Sequence, residues 1–393
     1  MSSTTAHVPA PRRRQAPEPR TRGAGAAVAA VLLGILVAVL TTAVIVLVKV
    51  ADDARDDAGR AAAQGAAPAD ASGATHDHAA SASVPTASFA GAGPDNAADI
   101  AAARTPYDAT MPAIPAGPVA KVHMTLKDVT LEIAPGVKYQ TWSFDGTGAP
   151  GEIVHVREGQ RVEMTLTNGG AIPHSIDFHA ARIAPNKAFK DVLPGQSFSF
   201  SFIAGDPGVY MYHCGTKPVL AHIANGMYGA IVVEPVAQPL PKADREYVLV
   251  SSEWYLNGDG VSKPASLDMA KAHTQQPDWV TWNGYAGQYV AHPLVSNPGE
   301  TVRFWVVAAG PSFDTDFHVV GTVLDRAWAN ADVTSPPQVG VQTVTVPAGG
   351  GGVFDVKIDE PGLYPFVSHS FASVDLGQVG LLKVGKVEGT MSH

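Results

Sequence analysis

An internal repeat restricts the fold of this chain more than any other feature. Glu158-Gly159-Gln160-Arg161-Val162 leads to Asp177-Phe178-His179, and Pro298-Gly299-Glu300-Thr301-Val302 leads to Asp316-Phe317-His318. Pro207-Gly208-Val209-Tyr210 then precedes Cys214, as Pro361-Gly362-Leu363-Tyr364 precedes Ser368-His369. Each copy closes on a similar run, Gly229 to Val233 and Gly380 to Val384. Such a repeat means one structural unit built twice, and it governs how every motif is assigned. Within the copies, short alternating runs such as Val122 to Leu126, Gln140 to Phe144, Ile153 to Val156, Val162 to Leu166 and Ser197 to Phe202 are separated by Gly, Pro and Asn. This texture predicts strands and turns, hence an all-β fold of two tandem sandwiches over residues 119–237 and 238–390. Charged residues make up 16% of the chain beside 39 Gly and 31 Pro, which suits turn-rich β structure better than helical bundles.

The chain upstream of the repeat has a different character. Residues 1–22 carry five arginines against Glu18 and are expected to be disordered, since no core can form there. Residues 23–50 are uncharged from Gly23 to Val48, longer than the ~20 residues that span a bilayer. Arginines before this stretch and Asp52, Asp53, Asp56 and Asp57 after it orient the N-terminus toward the cytoplasm. A cleaved signal peptide has an apolar region of ~7–15 residues and a small-x-small cleavage site, neither of which fits. The expectation is a single-pass anchor in the cell membrane with the repeat outside the cytoplasm. Residues 51–118, rich in Ala, Asp, Gly and Ser, are expected to form a flexible tether, and His76-Asp77-His78 within it a solvated pair. A net charge of −9 with no basic face argues against a nucleic-acid partner.

The only cysteine, Cys214, follows His213 and precedes His222 and Met227. Thiolate, imidazole and thioether on one short segment form the soft ligand set of a blue-copper centre. Neighbours along a strand face opposite ways. His213 and Cys214 are adjacent, and His174 and His179 are five apart, so each pair divides between the two sides of a sheet. Cys214, His174, His222 and Met227 then fall inside the domain as a trigonal site with a weak axial Met. His213 and His179 fall on the other side, as two surface imidazoles needing a partner. The second copy has Ser368 in place of the cysteine and Phe313 in place of His174, so it holds no blue site, yet it keeps His318 and His369.

These motifs, His174 to His179, Tyr212-His213-Cys214, His222 to Gly229, Phe317 to Gly321 and Val367 to Ser370, resemble the copper-containing nitrite reductases over roughly Val119 to Gly385. The eight-residue step from Cys214 to His222 is similar to the envelope-anchored branch of that family. The resemblance implies two cupredoxin-like Greek-key domains. It implies type 1 copper on His174, Cys214, His222 and Met227. Type 2 copper would lie on His179 and His213, with His369 supplied by a neighbouring subunit of a homotrimer. It also implies proton-handling roles for Asp177 and His318, and an aliphatic overhang at Val320. The expected activity is one-electron reduction of nitrite to nitric oxide. The electrons would come from an external donor such as a small cupredoxin, a c-type cytochrome or a quinol chain.

Two other readings fit parts of the sequence. A two-domain multicopper oxidase reducing dioxygen needs several His-x-His pairs, and the repeat contains none. A non-catalytic, membrane-tethered blue-copper carrier has no use for His179, His213 and His369.

Overall fold

The computed structural model describes residues 87–88, 91–146 and 148–387. The expected disordered N-terminus, the anchor over 23–50, the first part of the tether and the His76/His78 pair lie outside the described residues. Among the described residues no helix is long and apolar enough to cross a membrane.

The first sandwich is built from β1 (Val119–Ala134), β2 (Val137–Ser143), β3 (Val154–Arg157), β4 (Arg161–Asn168), β5 (Asp177–Phe178), β6 (Ser197–Ile203), β7 (Gly208–His213) and β8 (Tyr228–Glu234). One sheet has the order β2-β1-β4-β6 and the other β3-β8-β7-β5, with β1/β4 and β3/β8 parallel. Alternation drives the packing. In β4, Val162, Met164 and Leu166 are buried while their neighbours are not, so one face joins a core with Phe144, Ile176, Phe178, Tyr212, Cys214 and Met227.

The second sandwich repeats the plan with β9 (Arg245–Trp254), β10 (Trp279–Trp282), β11 (Leu294–Ser296), β12 (Thr301–Gly310), β13 (Thr315–Val319), β14 (Arg326–Trp328), β15 (Val344–Val346), β16 (Gly351–Lys357), β17 (Gly362–Ser368) and β18 (Val379–Val384). Its sheets run β10-β9-β12-β16-β14 and β11-β18-β17-β13-β15. Its core centres on Phe304, Phe317, Phe354 and Phe366.

A third core joins the two sandwiches. Val209 and Met211 of β7 and Tyr228, Ala230 and Val232 of β8 pack against Val248, Val250, Trp254, Trp305, Val307 and Val353. Every residue from Tyr228 to Val233 is therefore buried. An aromatic of this size buries roughly 150–250 Å², so Trp254 and Trp305 alone make this junction a core rather than a hinge. Strand β7 thus lies between two cores. Tyr212 and Cys214 face the first, while Val209 and Met211 face the junction.

The repeat is traceable residue by residue. Gly229 pairs with Tyr212 and Gly380 with Phe366, and a Cβ at either glycine would stand 2.2 or 2.1 Å from that ring. Met227 N–H donates to His222 O at 3.2 Å, as Gln378 N–H donates to Ser373 O at 2.9 Å. Cys214 Sγ accepts the Ser175 N–H at 3.3 Å, and Ser368 Oγ accepts the Asp316 N–H at 3.0 Å. Buried Ser368, Ser373 and Gln378 therefore stand where Cys214, His222 and Met227 stand in the first copy.

The matching Asp-Phe-His triplets do not superpose, however. Asp177 pairs with His213, whereas His318, not Asp316, pairs with Val367, the counterpart of His213. The triplet has slipped by two residues between copies. Because two is the strand period, His318 keeps its face while taking the ladder position of Asp177.

The last part of the expected tether over 51–118 packs against the body. Residues 97–103 form helix α1 (Ala97–Ala103), with Ala97 and Ala101 buried. Tyr107 donates its N–H to Gln288 Oε1 at 2.8 Å and its hydroxyl to Gly151 O at 3.0 Å. Ala109 O accepts Val248 N–H at 2.7 Å, and Met111 N–H donates to Glu246 O at 3.1 Å. Pro115 O accepts Gln160 Nε2 at 2.9 Å. The small residues that suggested a linker allow this strap to lie close against both sandwiches.

Candidate metal centres

His174, Cys214 and His222 arrive from three places. His174 is fixed between β4 and β5 by a backbone bridge to Val192. Cys214 directly follows β7, and His222 sits on helix α2 (Val219–Ala224), which the short step after Cys214 folds back over the core. Their donor atoms converge. Cys214 Sγ lies 3.2 Å from His222 Nδ1 and 4.0 Å from His174 Nδ1, and the two Nδ1 atoms are 3.1 Å apart. All three residues are buried. Met227 is buried in the same core, and its carbonyl accepts the Cys214 N–H at 3.1 Å.

The electrostatics suit a soft cation. Burial, then the neighbouring His222, push His174 down to about 4, and burial also lowers His222. Both imidazoles are therefore neutral at pH 7, with a lone pair available. Burial raises the Cys214 thiol, opposed by N–H and hydroxyl donors from Ser175 and Thr216. Ser175 is the hub of this loop. Its hydroxyl accepts the Gly215 N–H at 3.0 Å and shares a hydrogen bond of 3.2 Å with the Thr216 hydroxyl, which also donates to Asp191 at 2.7 Å. Trp142 lies against both ligand rings, 5.3 Å from His174 and 4.8 Å from His222 between centroids. It borders a cavity of about 640 Å³ also lined by Asp128, Asn225 and Met269.

A second cluster, Asp177, His179 and His213, lies on the other side of the sheet. His213 Nε2 and His179 Nε2 are 3.0 Å apart. His179 Nδ1 is 3.0 Å from Gly349 O, and His213 Nδ1 is 2.9 Å from Cys214 O. A carbonyl only accepts, so both rings carry hydrogen on Nδ1 and their Nε2 lone pairs face each other. Two lone pairs at that distance repel unless a metal ion or a shared proton lies between them. Together with the thiol-imidazole group one peptide away, this donor chemistry fits two copper ions, one soft-ligated and one held by imidazoles. Burial is also the main cause that lowers the pKa of His213, favouring its neutral form.

His318 and His369 form a separate pair on the second sandwich, with ring centroids 5.4 Å apart. His318 Nδ1 donates to Gln342 O at 2.7 Å, which leaves its Nε2 as acceptor, and His369 is exposed. Val320 follows β13, its N–H bound to Pro365 O at 2.7 Å. With the two-residue slip, buried Thr315 rather than Phe313 takes the place of His174, its hydroxyl accepting from Gln378 Nε2 at 3.2 Å. The loop bearing Phe313 is held by buried Glu253, which accepts the Phe313 N–H at 2.6 Å.

The structure thus brings together His174, Cys214 and His222, with Met227 in the same core, and separately Asp177, His179 and His213. His318 and His369 lie outside both clusters. Ser175, Thr216, Trp142 and Gly349 escaped the sequence reading. Trp142 and Ser175 carry no motif, although an aromatic on a strand and a Ser directly after a ligand are visible signals. Gly349 acts through its backbone and gives none.

Comparison with known proteins adds three findings. The multicopper oxidase family model matches residues 125–238. The copper-containing nitrite reductase of Neisseria gonorrhoeae is 40% identical over 70% of this chain and 72% of its own, and that of Pseudomonas chlororaphis is 31% identical over 65% and 74%. A solved copper nitrite reductase from Nitrosomonas europaea superposes with a TM-score of 0.61 at 35% identity, over 68% of this chain and 95% of that one.

Proposed function

The chain belongs to the family of copper-containing nitrite reductases, and from that premise we propose how its own residues carry the reaction. It is an oxidoreductase that reduces nitrite by one electron and two protons to nitric oxide and water. It uses type 1 and type 2 copper. His174, Cys214, His222 and Met227 would hold the type 1 ion. His179 and His213, with His369 of the partner subunit, would hold the type 2 ion. Copper supplies one-electron redox exchange at the first site and a Lewis-acidic seat for an oxyanion at the second.

The observation that carries this reading is the geometry of the His213–Cys214 dipeptide. Its thiol belongs to one cluster and its imidazole, 3.0 Å from His179, to the other. With both ions bound, this dipeptide would offer electrons a path of only a few covalent bonds between the sites. Asp177 shares the second cluster, where its carboxyl hydrogen-bonds bound nitrite and passes a proton to the departing oxygen. His318, with hydrogen fixed on Nδ1 by Gln342, presents Nε2 as the relay for the second proton. His369 and His318 are absent from their own chain's Asp177 cluster, which favours a partner copy supplying them; the homotrimer is the assembly the family resemblance implies. Val320 overhangs the nitrite site.

The cavity beside Trp142, whose ring lies against His174 and His222, supports docking of an external electron donor at this face. The apolar stretch over 23–50, flanked by arginine and aspartate, supports a single-pass anchor in the cell membrane with the catalytic body outside the cytoplasm.

The test is nitric oxide release from nitrite by copper-loaded protein with an artificial reductant. Copper-dependent oxygen consumption without nitric oxide points instead to an oxidase. That reading is weaker, because the described residues hold two candidate metal clusters and no trinuclear set.

A further inference from the structure

One contact to the second cluster comes from an unexpected quarter. Residues 347–352 turn from β15 into β16 through Gly349, Gly350, Gly351 and Gly352. This turn belongs to the second sandwich, yet it reaches the first at two points. Gly349 O accepts His179 Nδ1–H at 3.0 Å, and a Cβ on Gly351 would stand 2.1 Å from Val209 O in β7. The turn is pinned on its own side as well. Gly349 N–H donates to Ala308 O at 2.7 Å, Ala308 N–H to Gly350 O at 3.1 Å, and Ala348 N–H to Asp314 Oδ1 at 2.8 Å. Gly349 adopts φ +77°, a left-handed conformation that aims its carbonyl at the imidazole.

We propose that the Gly349–Gly352 turn is a positioning element for the nitrite-binding copper, holding His179 in the tautomer and orientation that leave Nε2 free. The inference rests on the assignment of His179 as a copper ligand. A ligand imidazole whose other nitrogen is tied to a carbonyl has its tautomer and ring plane fixed. Here the carbonyl belongs to a different sandwich from the ligand. Bare backbone is needed at Gly351 because only then can the turn lie against Val209, two turns of alternation upstream of His213. One glycine segment therefore sets the strand carrying one ligand and the ring of the other.

The test uses the full-length protein with Gly351→Ala, which forces the turn away from β7, and Asp314→Ala, which frees Ala348 N–H at an exposed position without adding bulk. Three readouts are taken. Nitrogen-15 NMR of the copper-free protein reports the His179 tautomer. Competition with a chelator reports type 2 copper affinity. The thiolate-to-copper absorption band reports the type 1 site as an internal control.

The expected result is an Nδ1–H tautomer for His179 in the unsubstituted protein and a mixture in Gly351→Ala. Type 2 affinity falls about 10–100-fold in Gly351→Ala, the range seen when a ligand's supporting partner is lost, and less in Asp314→Ala, with the type 1 band at full strength. An Nε2–H tautomer in the unsubstituted protein, or type 2 affinity within twofold in both variants, overturns the proposal. If Gly351→Ala does not fold, Asp314→Ala and the tautomer decide alone. Failure of the unsubstituted protein to bind copper at His179 and His213 refutes the functional reading instead, and the tautomer measurement, needing no metal, still decides this one.

Discussion

Replacing Ser175 by Ala separates two contributions to the loop around Cys214. Ser175 is 1% exposed, and its hydroxyl is the acceptor for the Gly215 N–H at 3.0 Å. Removing it strands that donor. A buried donor left unsatisfied costs about 1–3 kcal/mol, but Gly215 is only half-buried and water replaces part of the bond, so about 1–2 kcal/mol is expected. Thr216 keeps its bond to Asp191 at 2.7 Å, so no second group is orphaned. The Ser175 backbone N–H, 3.3 Å from Cys214 Sγ, is untouched by the substitution. Copper should therefore still load to the same stoichiometry while the copper-free protein unfolds at lower urea. The assay is a pair of urea titrations, with the thiolate-to-copper band recorded on loaded samples. A midpoint equivalent to less than about 0.5 kcal/mol of change, or loss of copper binding with stability intact, refutes the reasoning, because either would place the hydroxyl's role elsewhere.

Asp177→Asn and His318→Ala should each keep the blue colour and lose nitrite turnover by about 10²–10⁴-fold, measured as steady-state nitric oxide release; unchanged turnover sinks the proton roles. Gly229→Ala places a Cβ 2.2 Å from the Tyr212 ring and should destabilise by about 1–3 kcal/mol through overpacking, read by thermal unfolding; an unshifted melt would show that Tyr212 moves freely. Arg245 is the main cause that pulls Glu300 from 4.5 to about 2. A carboxyl lowered on folding stabilises above its unfolded value, and that contribution is lost as pH falls from about 4.5 toward 2. Glu300→Gln should therefore flatten stability over that window, by at most about 1 kcal/mol because Arg245 is 40% exposed. Parallel pH profiles for the two proteins would contradict this.

What could be read from sequence alone was what strand geometry makes periodic. Adjacent His213 and Cys214 had to face opposite ways, and the structure puts their donor atoms in separate clusters. The two-sandwich texture was legible for the same reason, since alternation in runs such as Val162 to Leu166 reports a buried face. The slip of the second Asp-Phe-His triplet was hidden, because identical residues invite superposition and register is set by pairing partners far along the chain. Gly349 was hidden because its role belongs to a carbonyl every residue possesses. The strap was masked by composition. Only Ile100, Tyr107, Met111 and Ile114, larger apolar side chains in a run rich in Ala, Pro and Thr, hinted that residues 97–118 had something to pack against.

That strap determines how the body bears mechanical load. A pull on its N-terminal side is met first at α1, where His292 Nε2 lies 3.0 Å from Ala101 O and Arg104 stacks over Tyr285. It is met next by Tyr107, whose bonds run to Gly151 in one sandwich and Gln288 in the other. Ala109 and Met111 share it with Val248 and Glu246, and Pro115 passes the remainder to Gln160. Tension is thus divided between both halves before it reaches β1, and the strands downstream that carry the two candidate metal clusters are shielded from being drawn out one at a time.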